Sequence, residues 1–484
     1  MQEPVGLRLC AFLFLLCFHF PLTCGLPHGP RNAALQKGES GILTRNSHGE
    51  GSHWVPAWTA MPQLVEPANL PPAPFNTSTT TFTNTTIRQT IHLTTHTSSI
   101  RLILSNAFGT TPLPITRATI ALPRQENATT SPSGAGSPLI DPATLVALTF
   151  NGGCPNVTIS EGATALSDPV EFAAEAQLDL TVSLYMAEGQ QGKDVTGHPG
   201  SRTTSWMSFG DRSEEEDGRG DGAESVAHWY FISALLTSTS SYHHTSLVLI
   251  GDSLTDGRGS TTDTNNRWPD QLLSLLLDSN ATSASYSSAS LSILNQAAGG
   301  NALLLPPSSS GPNGPPALAR LDRDVLALPG GPSHVLVYIG VNDIGVTAAT
   351  EAAQTSIAAA LIAGYKQFAT RVRIAGGSGA RVYAATLTPF CADKNCGESD
   401  VQPYSSKERE VSRQTVNTWI RAAPDEGWFD GVVDFDEAVR DDVEGGGSVL
   451  RADLDSGDYL HLNVKGYGIL ARAVMRFGEN LAVW

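Results

Sequence analysis

From Ser246 to the end of the chain, short apolar runs alternate with segments of helical pattern. The apolar runs "SLVLI", "HVLVYI", "RVYAATLTPF" and "GVVDF" are strand-like, and "TEAAQTSIAAALIAGYKQFATRV" between the second and third is helical. Strand, helix, strand at this spacing is typical of parallel βαβ units with helices on both faces of one sheet. The closing segment "HLNVKGYGILARAVMRFGENLAV" has the pattern of an amphipathic helix. We therefore predict an α/β domain with a parallel sheet over residues 241–484.

The preceding part of the chain has a different pattern. In "QLDLTVSLYM", Leu180, Val182 and Leu184 alternate with polar residues, as in a strand that is buried on one face. The runs "TIRQTIHLTT" and "SIRLILSN" are also strand-like, and turn clusters such as "TTSPSGAGSP" separate such runs. We predict an antiparallel, sandwich-like β domain over residues 51–240.

The first 50 residues are predicted to lie outside both domains. One arginine precedes an apolar run from Leu9 to Phe20, and small residues follow it. The run is shorter than the roughly 20 apolar residues that cross a bilayer, so residues 1–25 have the pattern of a signal peptide rather than an anchor. Residues 26–50 are polar and Gly-rich, and we predict a flexible segment or a removed propeptide there. The protein is thus expected to be secreted, with no stable membrane anchor.

The charge of the chain excludes one class of partner. Its 484 residues are 40% hydrophobic, enough for ordinary buried cores, and carry a formal net charge of -17. Binding to nucleic acid requires clustered Lys and Arg, so no nucleic-acid partner is expected. The sequence leaves the oligomeric state open.

Secretion also bears on the cysteines. Three of the six lie in the predicted signal peptide. Cys391 and Cys396, in "FCADKNCG", are close enough to close a small loop, and we expect a disulfide between them in an oxidising compartment. Cys154 is then expected to be alone and buried. A metal at the cysteine pair is the alternative, although no second pair or nearby histidine supports it.

Five asparagines stand in N-x-Ser/Thr sequons, which fits a secreted glycoprotein. The predicted glycosylation sites are Asn76, Asn84, Asn127, Asn156 and Asn280.

Three residues of interest follow strand-like runs in the α/β domain. Ser253 follows "SLVLI", Gly300 lies in "LNQAAGGN" after "SLSIL", and Asn342 lies in "VLVYIGVNDIG". Reactive groups gather at the carboxyl ends of parallel strands. Each residue also has an ordinary structural interpretation, which is a helix N-cap for the serine, a turn for the glycine and an Asx-turn for the asparagine.

A serine hydroxyl is unreactive without a base, and the sequence offers one. In "DSGDYLHLNVKGY", Asp458 and His461 lie three residues apart, immediately before the last predicted helix. At that spacing the carboxylate can orient the imidazole while the other ring nitrogen faces Ser253. A surface pair at the same spacing is the ordinary alternative.

Four blocks occur in order, "GDSLTDG", "AAGGN", "GVND" and "DYLH", and with them residues 245–484 resemble the SGNH hydrolases, also called GDSL lipases and acylhydrolases. The resemblance implies a flavodoxin-like, three-layer α/β/α domain that needs no metal or organic cofactor. It implies Ser253 as nucleophile, His461 as base and Asp458 as the residue that orients the base.

The resemblance also implies three donors to an oxyanion, which are the Ser253 N–H, the Gly300 N–H and the Asn342 side-chain amide. The second block departs from the commoner family form, because Ala297 stands where a glycine often lies and Gly299 adjoins Gly300. Either glycine can therefore be the donor. We assign the role to Gly300 because Asn301 follows it. Substrate contacts are expected from "RGSTTDTNNRW", which follows the serine.

The upstream half resembles one secreted bacterial and fungal branch of the same superfamily, through "WVPAWTAMPQ" and "LILSNAFG". Some members of that branch act on acetylated plant polysaccharides, and others are known only as lipases. The expected activity is hydrolysis of an ester of a carbohydrate or lipid through an acyl-serine, with acetylated plant polysaccharide favoured. A lipase or general short-chain esterase is one alternative. A non-catalytic carbohydrate-binding surface protein is another, in which exposed tryptophans stack on sugars; the candidates are Trp54, Trp58, Trp206 and Trp229.

Overall fold

The structure is a computed structural model that describes residues 52–125, 134–241, 244–280, 291–308, 311, 313–442 and 448–480. The predicted signal peptide, the predicted flexible segment and the sequon at Asn127 lie outside the described residues. Contacts divide the chain into residues 1–49 and one compact unit of residues 50–484. The description below concerns the second unit.

Its first half consists of short strands. They are β1 (His53–Thr59), β2 (Gln63–Leu64), β3 (Thr80–Thr81), β4 (Thr85–His92), β5 (Thr97–Ser105), β6 (Leu113–Ile115), β7 (Arg117–Ala121), β8 (Val146–Leu148), β9 (Val157–Ile159), β10 (Thr164–Leu166), β11 (Val170–Ala174), β12 (Asp179–Met186), β13 (Gln190–Gln191), β14 (Thr196–His198), β15 (Ser205–Phe209), β16 (Glu224–Val226), β17 (Trp229–Tyr230) and β18 (Ile232–Thr239). We call this part the β region.

Two antiparallel sheets dominate the β region. One has the strand order β1-β18-β5-β10, with β11 also paired to β5, and the other has the order β16-β15-β4-β12-β7-β8. Side chains from both sheets, among them Leu102 of β5 and Val182 of β12, share one buried core. The predicted antiparallel, sandwich-like β architecture is confirmed.

The strand β12 differs from expectation in being covered on both faces. Its polar face is buried as well, with Thr181 1% and Ser183 1% exposed. Ser183 accepts a hydrogen bond from Arg88 Nε at 3.1 Å, and the Arg88 guanidinium also binds backbone carbonyls of the loop that follows β15. A folded-over loop therefore replaces the solvent that the alternating pattern predicted.

The second half alternates strands and helices. The strands are β19 (Thr245–Gly251), β20 (Leu291–Asn295), β21 (His334–Tyr338), β22 (Arg381–Ala385), β23 (Gly431–Val433), β24 (Arg440–Asp442) and β25 (Ser448–Leu450). The helices are α1 (Ser253–Asp256), α2 (Trp268–Asn280), α3 (Ala317–Leu321), α4 (Val341–Val346), α5 (Glu351–Gly376), α6 (Lys407–Ala422), α7 (Phe435–Val439) and α8 (Val464–Asn480). We call this part the α/β region.

Five strands of the α/β region form a parallel sheet in the order β20-β19-β21-β22-β23. Counted along the chain, this is the order 2-1-3-4-5 of flavodoxin-like folds, in which the site lies between the first and third strands. The helices α2 and α7 pack on α8, whereas α3, α4 and α6 pack on α5, so the helices form two separate groups. The predicted flavodoxin-like α/β fold is confirmed.

The two regions are joined by direct hydrogen bonds. Ser292 Oγ donates to the Pro56 carbonyl at 2.7 Å. The Asp263 carboxylate accepts from both the backbone N–H and the hydroxyl of Thr204, each at 2.7 Å, and Asn265 donates to Asp179 at 3.0 Å. Two residues of the segment after the serine, where substrate contacts were expected, therefore hold the β region.

The cysteines agree with expectation only in part. Cys391 and Cys396 form the expected disulfide. Cys154 is half-buried, so the prediction that it is buried is wrong.

The sequon asparagines of the described residues differ in exposure. Among the sequons, Asn84 and Asn156 are exposed and Asn76 is half-buried, while Asn280 ends α2; glycosylation itself stays a prediction.

In the described part of the chain, no helix combines the length and the apolar character that crossing a bilayer requires.

Candidate active site

Ser253 lies at the carboxyl end of a central strand, in the turn that leads from β19 into α1. Asp252 caps the helix, its carboxylate accepting the Leu254 N–H at 3.0 Å. A Cβ at Gly251 would lie 2.5 Å from Thr255 Oγ1, so only glycine allows so tight a turn. The turn leaves Ser253 6% exposed, with its hydroxyl at the edge of a cavity.

The loop before α8 brings His461 and Asp458 to this serine. Ser253 Oγ lies 2.7 Å from His461 Nε2, and His461 Nδ1 lies 2.6 Å from Asp458 Oδ2. The other carboxylate oxygen of Asp458 accepts the backbone N–H of His461 at 2.8 Å. Asp455 closes the loop by accepting the Gly457 N–H at 2.9 Å. The structure thus places the three predicted residues in one hydrogen-bonded chain.

The protonation of this chain follows from its contacts. Burial alone would raise the pKa of Asp458, but the hydrogen bonds and charge of His461 outweigh it and hold that pKa well below its usual range. An ionised Asp458 accepts the proton on His461 Nδ1, which leaves Nε2 of the neutral ring as an acceptor. The Ser253 hydroxyl therefore donates to Nε2, the geometry required of a general base.

The predicted second oxyanion donor lies in the turn after β20. The Gly299 N–H donates to Asp256 Oδ2 at 2.8 Å and so is already occupied. Gly300 has a φ of 72°, and a Cβ there would lie 2.7 Å from Asn313 Nδ2. No described residue accepts a hydrogen bond from the N–H of Gly300 or of Ser253. Of the two glycines that the sequence left open, Gly300 is the one with an available donor.

Asn342 follows β21 in the first turn of α4, and its amide is held from both ends. Its Nδ2 donates to the Asn301 carbonyl at 2.8 Å, and its Oδ1 accepts the Tyr404 hydroxyl at 3.0 Å. Since Tyr404 donates to the oxygen, the nitrogen is fixed on the other side with one N–H remaining. Asn342 is 5% exposed and lines the same cavity as Ser253.

Both regions contribute to that cavity, which has a volume of about 510 Å³. The α/β region supplies the predicted residues together with Asp256, Arg258, Gly299, Asn313, Val401, Gln402, Pro403, Tyr404 and Leu460. The β region supplies Gln63, Glu66, Asn69, Pro199, Gly200, Arg202 and His228. Most of these side chains are polar or charged. All of the predicted catalytic and oxyanion residues line this one cavity.

Comparison with known proteins adds an independent finding. Residues 249–469 match the sequence profile of the GDSL-like Lipase/Acylhydrolase family. They form a GDSL-like lipase/acylhydrolase domain. The chain is accordingly a carboxylic ester hydrolase, and the GDSL-like domain includes the parallel sheet and most of the cavity described above.

The chain is also similar, at low sequence identity, to two solved structures. A carbohydrate acetylesterase from Sinorhizobium meliloti is 16% identical, covers 49% of this chain and 99% of its own, and has a TM-score of 0.32. An aryl esterase from M. smegmatis is 13% identical, covers 49% of this chain and 99% of its own, and has a TM-score of 0.35. Among the curated proteins, none matches the chain significantly.

Two buried carboxyl groups, of Asp252 and Asp343, adjoin the cavity residues Ser253 and Asn342 in the chain. Burial raises the pKa of Asp252 to about 7. Burial also raises the pKa of Asp343 to about 6, although its carboxylate accepts three backbone N–H groups, from Leu303, Leu304 and Leu305. Loss of solvation of the charge therefore makes both carboxyl groups weaker acids than an ordinary aspartate.

Three residues in or beside the cavity were not predicted from the sequence. Asp256 lies inside the first block, three residues after Ser253, and that position on the same helical turn was an available signal. His198, which lies 2.9 Å from Asp256, and Tyr404 come from distant segments and had no local signal. Of the four tryptophans proposed to stack on sugars, Trp58 and Trp229 are each 3% exposed and pack edge to face in the core of the β region.

A group of possible metal ligands lies outside the candidate site. Within the described residues, the side chains with ligand-like spacing are Cys391, Cys396 and Glu410, and both sulfurs belong to the disulfide.

A second groove, of about 480 Å³ between α5 and α6, is lined by residues such as Ala358 and Val411 and contains no residue of the candidate site.

Proposed function

We propose that this protein is a secreted serine esterase that removes short acyl groups, acetyl above all, from carbohydrates through an acyl-serine intermediate. The observation that carries the proposal is the chain Ser253–His461–Asp458, with contacts of 2.7 and 2.6 Å, which opens into a polar cavity. Three further donors, the N–H groups of Ser253 and Gly300 and the Asn342 amide, line the same cavity.

The first half of the reaction forms the acyl-enzyme. His461 Nε2 takes the hydroxyl proton as Ser253 Oγ attacks the ester carbonyl, and the carbonyl oxygen becomes an oxyanion. The three donors stabilise that oxyanion, and ionised Asp458 stabilises the imidazolium of His461. His461 then gives its proton to the departing alcohol oxygen as the ester bond breaks.

The second half repeats these steps with water. His461 removes a proton from a water molecule, and the resulting hydroxide attacks the acyl carbonyl of Ser253. Collapse of the second oxyanion breaks the bond to Oγ, which takes the proton back from His461. The products are a carboxylic acid and an alcohol, and Ser253 is restored.

The lining of the cavity supports a polar alcohol and a short acyl group. Gln63, Asn69 and His228 present amide and imidazole groups that hydrogen-bond hydroxyls well. A long alkyl chain would instead desolvate these groups without replacing their hydrogen bonds, which is unfavourable. These residues favour a carbohydrate ester over a long-chain lipid ester.

Secretion is part of the proposal. The apolar run near the amino terminus, the exposed sequons at Asn84 and Asn156 and the disulfide between Cys391 and Cys396 support it. Expression in a eukaryotic host tests it: the protein should appear in the medium, begin after the first 25 or so residues, and lose mass on treatment with an N-glycosidase. Retention of intact, unglycosylated protein inside the cells would contradict it.

The activity is tested by labelling and by a substrate panel. A fluorophosphonate should label the protein, and Ser253→Ala should abolish labelling, whereas Ser274→Ala, at an exposed serine of α2, should not. Acetate release from acetylated polysaccharide should exceed hydrolysis of long-chain esters. Labelling that survives Ser253→Ala refutes the nucleophile, and a preference for long-chain esters favours the lipase alternative.

A further inference from the structure

The β region reaches the candidate oxyanion loop through two buried side chains. His198, at the end of β14, lies with Nε2 2.9 Å from Oδ1 of Asp256, at the end of α1, and the two side chains are 4% and 3% exposed. The other carboxylate oxygen, Asp256 Oδ2, accepts the Gly299 N–H at 2.8 Å. One hydrogen-bonded chain therefore runs from the β region to the residue before Gly300.

The contacts of His198 show how this pair is charged. Its Nδ1 lies 3.0 Å from the Met61 carbonyl oxygen, which can only accept, so Nδ1 carries a proton. Its Nε2 faces a carboxylate oxygen, and a hydrogen bond between those two atoms requires a second proton. Whichever atom holds that proton, the pair formed by His198 and Asp256 is neutral as a whole.

We propose that His198 and Asp256 are positioning residues for the oxyanion hole, an inference that rests on the proposed function. Asp256 holds the Gly299 peptide so that the following N–H, of Gly300, is the one that remains for the oxyanion. A bare carboxylate at this place would repel the negative charge that develops on the substrate. His198 cancels the charge of Asp256, so the loop is held without that penalty.

The packing around the pair is consistent with this role. A Cβ at Gly200 would lie 1.7 Å from Asp256 Oδ2, so the β region approaches this carboxylate as closely as its backbone permits. The His198 ring also stacks on Trp229, with ring centres 5.7 Å apart. The β region therefore completes the active site of the GDSL-like domain rather than only flanking it.

A double-mutant cycle on acetyl ester hydrolysis tests the proposal. His198→Leu leaves the Asp256 carboxylate without its cation, and kcat should fall by about 100-fold with KM changed by less than about 3-fold, the size of the loss of one oxyanion donor. Asp256→Asn keeps an oxygen for the Gly299 N–H and removes the charge, so kcat should fall by less than about 10-fold. In the double variant the kcat should recover by about 10-fold relative to His198→Leu, because the unpaired charge is gone.

A second buried pair serves as the matched control. His92 Nδ1 lies 2.8 Å from Asp179 Oδ1, also between buried side chains, but neither residue lines the catalytic cavity. His92→Leu should leave kcat unchanged. If His198→Leu does not fold, His198→Gln keeps a donor to Asp256 without charge and should lower kcat by an intermediate amount.

The outcomes separate this proposal from the proposed function. A double variant no faster than His198→Leu, a loss carried by KM, or an equal loss in His92→Leu would overturn the positioning role. Wild-type protein that hydrolyses no ester and takes no fluorophosphonate label would instead overturn the proposed function itself.

A second inference concerns two arginines that line the cavity, Arg202 and Arg258. Neither guanidinium has a hydrogen-bond or ion-pair partner among the described residues. The carboxylates in the lining are all held by neighbours: Glu66 by Gln63 Nε2 at 2.5 Å and Asn69 Nδ2 at 3.1 Å, and the two others by the histidines already described. The two arginines are therefore the charged side chains of the lining that lack a hydrogen-bond partner among the described residues, in a chain whose net charge is -17.

The backbone at Arg202 supports a binding role. Its φ is 52°, a left-handed conformation that is unfavourable for a residue with a Cβ. Its carbonyl accepts the Asp263 N–H at 3.0 Å, which holds the half-buried side chain at the cavity. Strain of this kind persists where the surrounding structure imposes it, and it is common at ligand sites.

We infer that the ester substrate carries a carboxylate, as in an acylated uronic-acid polysaccharide. A guanidinium binds a carboxylate through two parallel hydrogen bonds, and here two guanidiniums face one cavity of about 510 Å³. The net charge of -17 repels a polyanion at long range. The attraction for such a substrate would therefore come from the two arginines at the cavity itself. This inference also rests on the proposed function.

Paired substrates and a matched variant provide the test. Acetylated galacturonan should be hydrolysed with a kcat/KM at least about 10-fold above that of acetylated glucomannan, and the difference should shrink with added salt. Arg202→Gln and Arg258→Gln should each lower kcat/KM on galacturonan by about 10-fold and leave the neutral substrates unchanged. Arg476→Gln is the control and should have no effect, because Arg476 is an exposed arginine of α8 outside the cavity and, like the other two, has no side-chain partner among the described residues.

The contrary outcomes are distinct. Equal losses on charged and neutral polymers, or no preference for galacturonan in the wild type, would overturn the inference. Faster hydrolysis of a short-chain anionic phospholipid than of galacturonan would overturn the carbohydrate assignment. Activity on a small neutral acetate ester, measured in parallel, shows whether the esterase function stands independently.

Discussion

His461 Nε2 lies 2.7 Å from Ser253 Oγ although 208 positions separate the two residues in the chain. The contact joins the loop before the last helix to the turn after the first parallel strand. Because Asp458 holds the other ring nitrogen, the imidazole has little freedom to turn away. The three residues are therefore expected to act together in catalysis.

Ser253 and His461 should act as one unit. His461→Ala and Ser253→Ala should each lower kcat on a chromogenic acetate ester by about 10⁶-fold, since the hydroxyl does not react without its base. The double variant should be no slower than either single variant. Losses that multiply in the double variant would show that the two residues act separately.

Asp458 should contribute through orientation and charge. Asp458→Asn removes the anion that selects the Nδ1-protonated ring, and kcat should fall by about 10³- to 10⁴-fold with little change in the melting temperature. Steady-state kinetics with a thermal melt of each protein provides the measurement. A loss below about 10-fold would mean that the hydrogen bond at 2.6 Å is not needed for turnover.

Tyr404 should affect catalysis through Asn342. Tyr404→Phe removes the hydroxyl that holds Asn342 Oδ1 at 3.0 Å, so the amide can turn and kcat should fall by about 10-fold. Asn342→Ala removes the donor altogether and should cost about 100-fold or more. In an Asn342→Ala background, Tyr404→Phe should have no further effect; an undiminished second loss would assign Tyr404 a role of its own.

The two adjacent glycines should respond differently to alanine. At Gly299 a Cβ would meet Asp256 Oδ2 at 3.6 Å, an ordinary contact, and Gly299→Ala should retain most activity and stability. At Gly300 the φ of 72° and the contact of 2.7 Å with Asn313 Nδ2 make a Cβ unfavourable. Gly300→Ala should destabilise the fold by about 1 kcal/mol or more and lower kcat, as urea unfolding and kinetics will measure. Equal behaviour of the two variants would contradict the turn geometry.

Asp252 should make stability depend on pH. Burial raises its pKa in the folded state from 3.8 to about 7. The folded protein therefore binds this proton more tightly than the unfolded chain, and the stabilisation is present below about pH 4 and lost as pH rises through about 7. Asp252→Asn cannot ionise and lacks this loss.

Burial lowers the pKa values of His228 and His334, which also make stability depend on pH. Their contribution is the same in wild type and in Asp252→Asn, so the measurement compares these two proteins. The free energy of unfolding of Asp252→Asn relative to wild type should rise between pH 5 and pH 8, by a few kcal/mol at most, since a tenfold shift in proton affinity corresponds to about 1.4 kcal/mol. Parallel profiles across this range would show that Asp252 does not titrate there.

Much of the candidate site could be predicted from the sequence because each of its residues lies in a short, recognisable stretch of the chain. Ser253, Gly300 and Asn342 each lie directly after a strand, and parallel strands bring their carboxyl ends to one edge of the sheet. Asp458 and His461 share one short loop. The alternation of strand and helix was enough to predict the sheet that assembles these pieces.

Other contacts of the site could not be predicted, because they join residues that are far apart in the sequence. Tyr404 acts on Asn342 from 62 positions away, and His198 acts on Asp256 from 58 positions away across the two regions. The burial of both faces of β12 likewise depends on segments distant in the chain. Periodicity and motif spacing report neighbours along the chain, and these contacts are not among them.

The sequence by itself determined the order of strands and helices, the turns that expose Ser253 and Gly300, and the chemical types of the catalytic groups, because each depends on a few adjacent residues. Only the tertiary structure decided which glycine N–H remains available, how the Asn342 amide is oriented, and that the β region forms a wall of the cavity. Those outcomes depend on which side chains from remote segments occupy a shared volume, and packing in three dimensions alone sets that.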